Sequence, residues 1–404
     1  MPADPSRLGE PPLLEGVRVL DFTRVLAGPY ATMVLADLGA EVIKVELPGS
    51  GDESRNFGPF IAGASAYYAS VNRGKKSVTL DLRTPRGSRL AMDLVERSDV
   101  LVENFRPGSM ERFGLGYDRA SARNPRLVFA SISGFGQSGP YSHRPAYDVI
   151  VQAMSGLASI TGLPGQPPVR VGSSTADLSA ALFACVGLLA ALARARETGR
   201  GRHLDVSMLD CQVALLENAI ARYDVTEQVP GPLGSRHPAI TPFQFFAAAD
   251  GWVVVAAGND RLFHRLCQVI GRPELVDDPR FADNAARTEH HGDLEAELSA
   301  SFAGGAVTEW LDRLEKAGVP CGPVNDMADL VRDPHVRSRG LIRRQPCGVE
   351  SVAVPVSPLR HAGEGQEIDP RPAPDLGEHT ESVLQDLLGL DSDELGSMRR
   401  DGVI

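Results

Sequence analysis

A strand–helix–strand run close to the N-terminus constrains this chain more than any other feature. Residues 17–23 (VRVLDFT) are apolar and rich in β-formers. Residues 29–38 (PYATMVLADL) space their apolar side chains for a helix, with Pro29 in the first turn and Gly39 where a helix ends. Residues 41–46 (EVIKVE) read as a second strand. A βαβ unit of this kind sets its strands parallel, joined by a right-handed crossover. The pattern recurs with strands at 77–82, 100–105 and 126–133 and a helix over 86–97. Strands alternating with helices predict an α/β fold, a mostly parallel sheet covered on both faces. Ligands of such sheets bind beyond the carboxyl ends of the strands. Those ends carry Thr23-Arg24, Asn104-Phe105 and Ser133-Gly134, so the site is expected there.

At 404 residues the chain is too long for one compact core, and two domains are expected. A helix over 178–196 is followed by a Gly-rich turn (ETGRGRH), the segment 204–208 and further helix to about residue 223. A Pro- and Gly-rich loop (VPGPLGSRHPAITP) then opens a different pattern: two strands within 243–257 joined at Ala249-Asp250-Gly251, and helices to about residue 316. We therefore expect a large first domain over 14–224, a smaller α+β domain over 225–325, and a linker with a C-terminal return over 326–404, helical at 378–387 and 392–400.

The net charge of −11 argues against a nucleic-acid partner. The longest apolar run, 181–193, falls short of the roughly 20 residues of a membrane span and reads as a buried helix. The five cysteines include no C-x-x-C pair, which argues against a disulfide framework or zinc site and fits a reducing cytoplasm. The N-terminus, MPADPSRLGEPP, has no secretory signal pattern.

Three features carry possible chemistry. Gly134-Phe-Gly-Gln-Ser-Gly139 matches G-x-G-x-x-G after a strand, but Pro140 and SHRPAYD follow instead of a helix. A dinucleotide site needs that helix, so a Gly-rich turn approaching some other ligand fits better. Asp177 lies in the first turn of the long apolar helix, which Ser173, Ser174 or Thr175 can cap. Acids favour that position because of the macrodipole alone. The same field would lower the carboxyl pKa and keep it ionised as a nucleophile. Arg24, Arg73, Lys75, Lys76 and Arg112 suit phosphates, although each also suits a solvated surface. H-E-x-x-H, P-loop and G-x-S-x-G motifs are absent.

LEGVRVLDFTRVLAGPYATMVLADLGAEVIKVE, PGSGD, NRGKKSVTLDL, DVLVENFRPGSMERFGLGYD, SISGFGQSGPYSHRPAYD, TADLSAAL and ETGRGRHLDVSMLD occur in this order. Together they resemble the class III CoA-transferases, also called the formyl-CoA transferase or CaiB/BaiF family. The likeness runs from about residue 14 to the C-terminal DGVI. It implies a Rossmann-like large domain formed by both chain ends, a smaller inserted α+β domain, and two chains interlocked as a homodimer. It implies acyl-CoA and a free carboxylic acid as substrates, with no metal, nicotinamide or flavin. The family's nucleophilic aspartate falls on Asp177, which implies a mixed anhydride and then an aspartyl-CoA thioester. The implied CoA contacts are Arg24, Val25, Leu26, Ala27, Leu80, Arg83, Asn104, Phe105, Arg112, Phe113, Ser133 and Met208.

Two departures bear on the substrate. Formyl-CoA transferases carry a glutamine where this chain has Leu26, and a four-glycine loop where it has Ala256-Ala257-Gly258-Asn259-Asp260. Both argue against oxalate with formyl-CoA. GSRHPAITPFQ, VVVAAGND and AGVPCGPVNDM resemble the succinyl-CoA-dependent branch that includes succinate–hydroxymethylglutarate CoA-transferase. Arg236 and His237 are candidates to bind a second carboxylate, although an arginine there equally suits anchoring a loop. The family also holds α-methylacyl-CoA racemases, whose catalytic histidine falls in a G-H-D sequence. Here that stretch is Ala146-Tyr147-Asp148, with His143 off the position. A tyrosine, with an ordinary pKa of about 10, is a poor base near neutrality, so transfer is favoured over racemisation and over a dinucleotide-dependent oxidoreductase.

Overall fold

The computed structural model describes residues 12–359 and 370–404. By its internal contacts the chain divides into two units. The first comprises residues up to Leu157, Arg170–Thr226 and the chain from His335 onward; the second comprises Ala158–Val169 and Glu227–Pro334.

The first unit carries a six-stranded sheet: β1 (Arg18–Asp21), β2 (Glu41–Glu46), β3 (Lys76–Thr79), β4 (Val100–Glu103), β5 (Val128–Ser133) and β6 (His203–Ser207). Their order is β3-β2-β1-β4-β5-β6, and every neighbouring pair is parallel. This is the order of Rossmann-type sheets, and the order reverses between β1 and β4. The helices that matter for the site are α1 (Ala27–Asp37), α2 (Pro85–Glu96), α3 (Asp148–Met154), α4 (Thr175–Thr198) and α5 (Met208–Ala214).

Side chains alternate across a strand, so an apolar strand feeds two cores. Val19, Val100, Val102, Val128, Ala130 and Ile132 pack on one face with α1 and α4. Leu20, Ile43, Val78, Leu101 and Phe129 pack on the other with α2. The C-terminal helices Thr380–Leu388 and Ser392–Arg400 complete this second core through Val383, Leu384, Leu395 and Met398. Asp81 N donates to Val403 O at 2.8 Å, so the chain end closes beside β3. α1 stops where the sequence marks it: Gly39 takes φ +100°, and Gly39 and Ala40 amides bond back to Ala36 and Leu35 carbonyls.

α4 spans 24 residues, longer than its apolar run, and by length and composition it is apolar enough to cross a membrane. Ala180, Ala184, Leu188 and Leu192 of α4 nevertheless lie buried in the first core. The second unit holds a three-stranded antiparallel sheet of Phe243–Ala247, Trp252–Ala256 and Cys321–Pro323, with the turn at Asp250-Gly251. Its core gathers Phe246, Phe263, Phe281, Phe302 and Trp310. Two features differ from the expectation. Residues 158–169 group with the second unit, which extends to Pro334. The stretch read as a linker forms a hairpin, Ile342–Cys347 with Glu350–Pro355.

Candidate active site

The loop after β1 reaches the switch point, where the order reverses, and it is heavily braced. Asn104, just past β4, accepts from Arg24 N and donates to Arg24 O, both at 2.8 Å. Val25 takes φ +68°, a costly conformation for a β-branched residue. Its N–H donates to Asp52 Oδ1 at 3.1 Å. Asp52 pairs with Lys44 Nζ at 2.8 Å, and both side chains are fully buried. Lys44 Nζ also donates to Thr23 O at 2.7 Å. Burial pushes the Asp52 carboxyl up, but the Lys44 ammonium outweighs it and holds the pKa at about 2. Beneath the loop, Lys75 Nζ donates to Asp21 Oδ2, Pro29 O and Asn72 Oδ1 at 2.9–3.0 Å. All three ammonium protons therefore have acceptors. Burial acts against the charge on Asp21, yet Lys75 and Lys44 keep its carboxyl below the usual range.

α4 starts at Thr175, and its cap comes from elsewhere. Ser174 occupies the N-cap but its side chain makes no capping bond. Buried Asp148, at the start of α3, accepts from Ala176 N at 2.8 Å instead. Asp177 follows in the same turn. Its carboxyl is not held down as the helix field alone would suggest. Burial, followed by the charge of Asp148, raises its pKa to about 7. The ordinary ionised carboxylate expected from the sequence is therefore corrected to one poised between its two forms at neutrality.

A cleft of about 320 Å³ opens at the carboxyl ends of β1, β4 and β5. Asp177 lines it with Arg24, Val25, Leu26, Ala27, Asn104, Phe105, Ser133, Tyr147 and Met208. A second cleft of about 290 Å³ is lined by Leu80, Arg83 and Phe113. The two share Arg24, Glu53 and Phe105, so an elongated ligand has continuous lining residues. Arg24 pairs with Glu53 at 3.0 Å and stacks over the Phe105 ring at 4.9 Å. Arg83 is held to Asp81 at 2.8 Å. Arg112 lines neither cleft; its Nη2 donates to Ser109 Oγ at 2.8 Å. Tyr147 is 67% exposed. The Gly134–Gly139 turn leads into turns and bends, and no helix begins before Asp148.

Arg236 lines a separate cleft of about 740 Å³ in the second unit, with Trp252, Phe245 and Leu163. His237 accepts from Ala239 N at 3.1 Å and lies against Phe243, so it braces its own loop. The sequence reading missed Asp148 as a cap, the Lys44–Asp52 pair behind Val25, and Tyr67. Burial and then the charge of Asp177 push the Tyr67 hydroxyl up to about 12. Among the described residues no cluster of His, Cys, Asp or Glu is arranged to hold a metal.

The model of CoA-transferase family III matches residues 14–380. An acetyl-CoA:oxalate CoA-transferase of Acetobacter aceti is 43% identical over 365 residues, covering 90% of this chain and 93% of that protein. A succinyl-CoA:glutarate CoA-transferase of Mus musculus is 41% identical over 394 residues, covering 97% of this chain and 90% of that one. The crystal structure of a CAIB/BAIF family protein from Brucella suis superposes with a TM-score of 0.83 at 36% identity, over 94% of this chain and 100% of that one. A match over nearly the whole length, with relatives 41–43% identical, means that the chain belongs to CoA-transferase family III.

Proposed function

We propose that this CoA-transferase moves CoA from succinyl-CoA to a free dicarboxylate through a covalent thioester on Asp177. The observation that carries the reading is the cleft at the switch point, where Asp177 lies among Arg24, Asn104, Ser133 and Met208. The donor and acceptor class rest on the likeness to the mouse glutarate enzyme.

In the proposed sequence an Asp177 oxygen attacks the thioester carbonyl. The C–S bond breaks, CoA leaves as thiolate, and a mixed anhydride forms. The thiolate attacks the Asp177 Cγ, the anhydride C–O bond breaks, and succinate leaves. The acceptor carboxylate then attacks the aspartyl thioester, and the two steps run in reverse. No proton is gained or lost overall, and each step exchanges one activated acyl group for another. Water must be kept out, since every intermediate hydrolyses. CoA spans the two clefts through Leu80, Arg83 and Phe113 in this reading.

Attack needs the ionised form of Asp177. With a pKa raised to about 7, kcat/KM for the acyl-CoA is expected to fall about tenfold per pH unit below 7 and to level off above it. A flat profile from pH 5 to 8 would contradict this assignment.

Arg236 is proposed, on the sequence likeness to the succinyl-CoA-dependent branch alone, to read the second carboxylate. Arg236→Ala is expected to raise KM for dicarboxylate acceptors about 10–100-fold while leaving monocarboxylates near wild type. Equal loss on both classes would assign it to loop anchoring.

A second reading, acetyl-CoA with oxalate, is favoured by the Acetobacter relative. Leu26, in place of the glutamine of formyl-CoA transferases, weighs against it. Incubation with succinyl-CoA or acetyl-CoA and a mixture of free acids, read by mass spectrometry, separates the readings by naming the new CoA ester. Exchange of the α-proton of a 2-methylacyl-CoA with no new ester would favour racemisation instead.

The proposal extends to an interlocked homodimer whose CoA-binding domain is built from both chain ends. Leu182, Phe183, Val186 and Leu189 form an exposed apolar stripe along α4, the kind of face a second chain covers. All five cysteines are unpaired thiols, in keeping with a cytoplasmic setting.

A further inference from the structure

Two glutamines brace the start of α4, Gln152 through the chain that leads into it and through the capping Asp148, Gln212 through Thr175 and Ser179 of the helix itself. Gln152, on α3, is 1% exposed. Its Nε2 donates to Asp148 Oδ2 at 2.7 Å and to Ser173 O at 3.3 Å, while its Oε1 accepts from Val171 N at 2.9 Å. It thereby sets the carboxyl that caps Ala176 and pins the strand of chain leading into the helix. Gln212, on α5, is also 1% exposed. Its Nε2 donates to Thr175 O and to Ser179 Oγ, both at 3.0 Å. Those two residues stand two before and two after Asp177. Gln152 thus spends its fork of donor and acceptor on the cap and the entry to the turn that carries the cleft acid, and Gln212 spends its donors on residues flanking that acid.

We infer that Gln152 and Gln212 are positioning residues that lock the first turn of α4, so that Asp177 meets the thioester carbonyl in one orientation. A core needs no buried amides there: apolar side chains of similar size would pack without the desolvation cost of two carboxamides. What the amides supply is a fixed rotation of one helical turn. The nucleophile changes its bonding partner in every step of the proposed reaction, and a displacement of about 1 Å at such a group costs on the order of 100-fold in rate. Both glutamines lie behind the turn and touch no reacting atom in this scheme. The inference rests on the reading of Asp177 as nucleophile.

The test is single-turnover formation of the covalent CoA adduct, followed by quenching and intact-mass measurement, for wild type, Gln152→Met and Gln212→Met. CoA affinity is measured by calorimetry and stability by thermal melting. Ser179→Ala, which removes one Gln212 acceptor with little change in volume, serves if the methionine variants do not fold. Leu395→Ala in the opposite core is the control for general destabilisation. The expected result is adduct formation slowed about 10–100-fold in the glutamine variants and several-fold in Ser179→Ala, with CoA affinity near wild type. Leu395→Ala should melt early yet form adduct at the wild-type rate. Adduct formation at the wild-type rate in the glutamine variants would overturn the inference, as would equal slowing in Leu395→Ala. Absence of adduct in the wild-type protein itself would overturn the nucleophile reading and this inference with it.

Discussion

Asp177→Ala is expected to lower kcat for CoA transfer by roughly 10⁴–10⁶-fold, the scale seen when a covalent nucleophile is deleted. The change removes the only group proposed to form a covalent bond with substrate. It leaves the α4 cap intact, because the capping bond runs from Ala176 N to Asp148. Folding should survive, and stability should hold or rise, because a carboxyl whose pKa is raised by burial disfavours its charged form in the folded protein. CoA binding should also survive, since Arg24, Asn104 and Phe113 are untouched. Steady-state transfer assays beside a CoA titration check both halves. Loss of CoA affinity matching the loss of rate would assign Asp177 to binding rather than chemistry.

Asp52→Ala carries the second large effect, and this one is structural. The substitution leaves the Lys44 ammonium fully buried with Thr23 O in place of its carboxylate. Breaking a buried pair from one side costs about 3–5 kcal/mol. The Val25 amide loses its acceptor at the same time, which leaves the Asn104 bonds to Arg24 to hold the loop against relaxation from φ +68°. The melting temperature is expected to fall by on the order of 10 °C, with weaker binding at the cleft that Val25 lines. Replacing both partners, as in Lys44→Met with Asp52→Leu, should recover only part of the stability, because it removes the unpaired ammonium but also the Lys44 charge that helps hold buried Asp21 and Glu46 ionised. It should not recover the bracing of the Val25 loop. The pH dependence has a definite sign. The Asp52 pKa is depressed to about 2, so its contribution is complete above about pH 4 and is lost as pH falls through about 2. Equal stability for Asp52→Ala and wild type at pH 7 would refute this account of the loop.

Much of this is legible in the sequence because it is local or periodic. EVIKVE reads as a strand and is one, over Glu41–Glu46, and its neighbours follow from the same apolar alternation. The strand ends point to the cleft on sequence grounds alone, since a parallel sheet with a switch point leaves its crevice there. What is hidden depends on residues far apart in the chain. Asp148 lies 28 residues before the amide it caps. Its charge, added to burial, turns a first-turn acid, ordinarily ionised, into one with a pKa of about 7. The spacing of Asp148 and Gln152, four apart on one helix, is a visible signal for that pair. Lys44 looks like an outward-facing residue in its strand, and its encounter with Asp52, beside the charges of Asp21 and Glu46, explains its complete burial. The hairpin at Ile342–Cys347 escapes because IRRQPC is polar and contains a proline. Residues 158–169 (ASITGLPGQPPV) are rich in Pro and Gly and mark a break, but nothing local in them says that they join the segment that begins at Glu227.

The most direct test of the central claim is to mix the purified protein with succinyl-CoA, digest it after rapid quenching, and map any covalent modification by tandem mass spectrometry. The account predicts a gain equal to CoA less one water on the peptide that contains Asp177, discharged when a dicarboxylate acceptor is added. A new acyl-CoA formed with no modified aspartate at any quench time, or a modification on another residue that discharges to the acceptor, would contradict it.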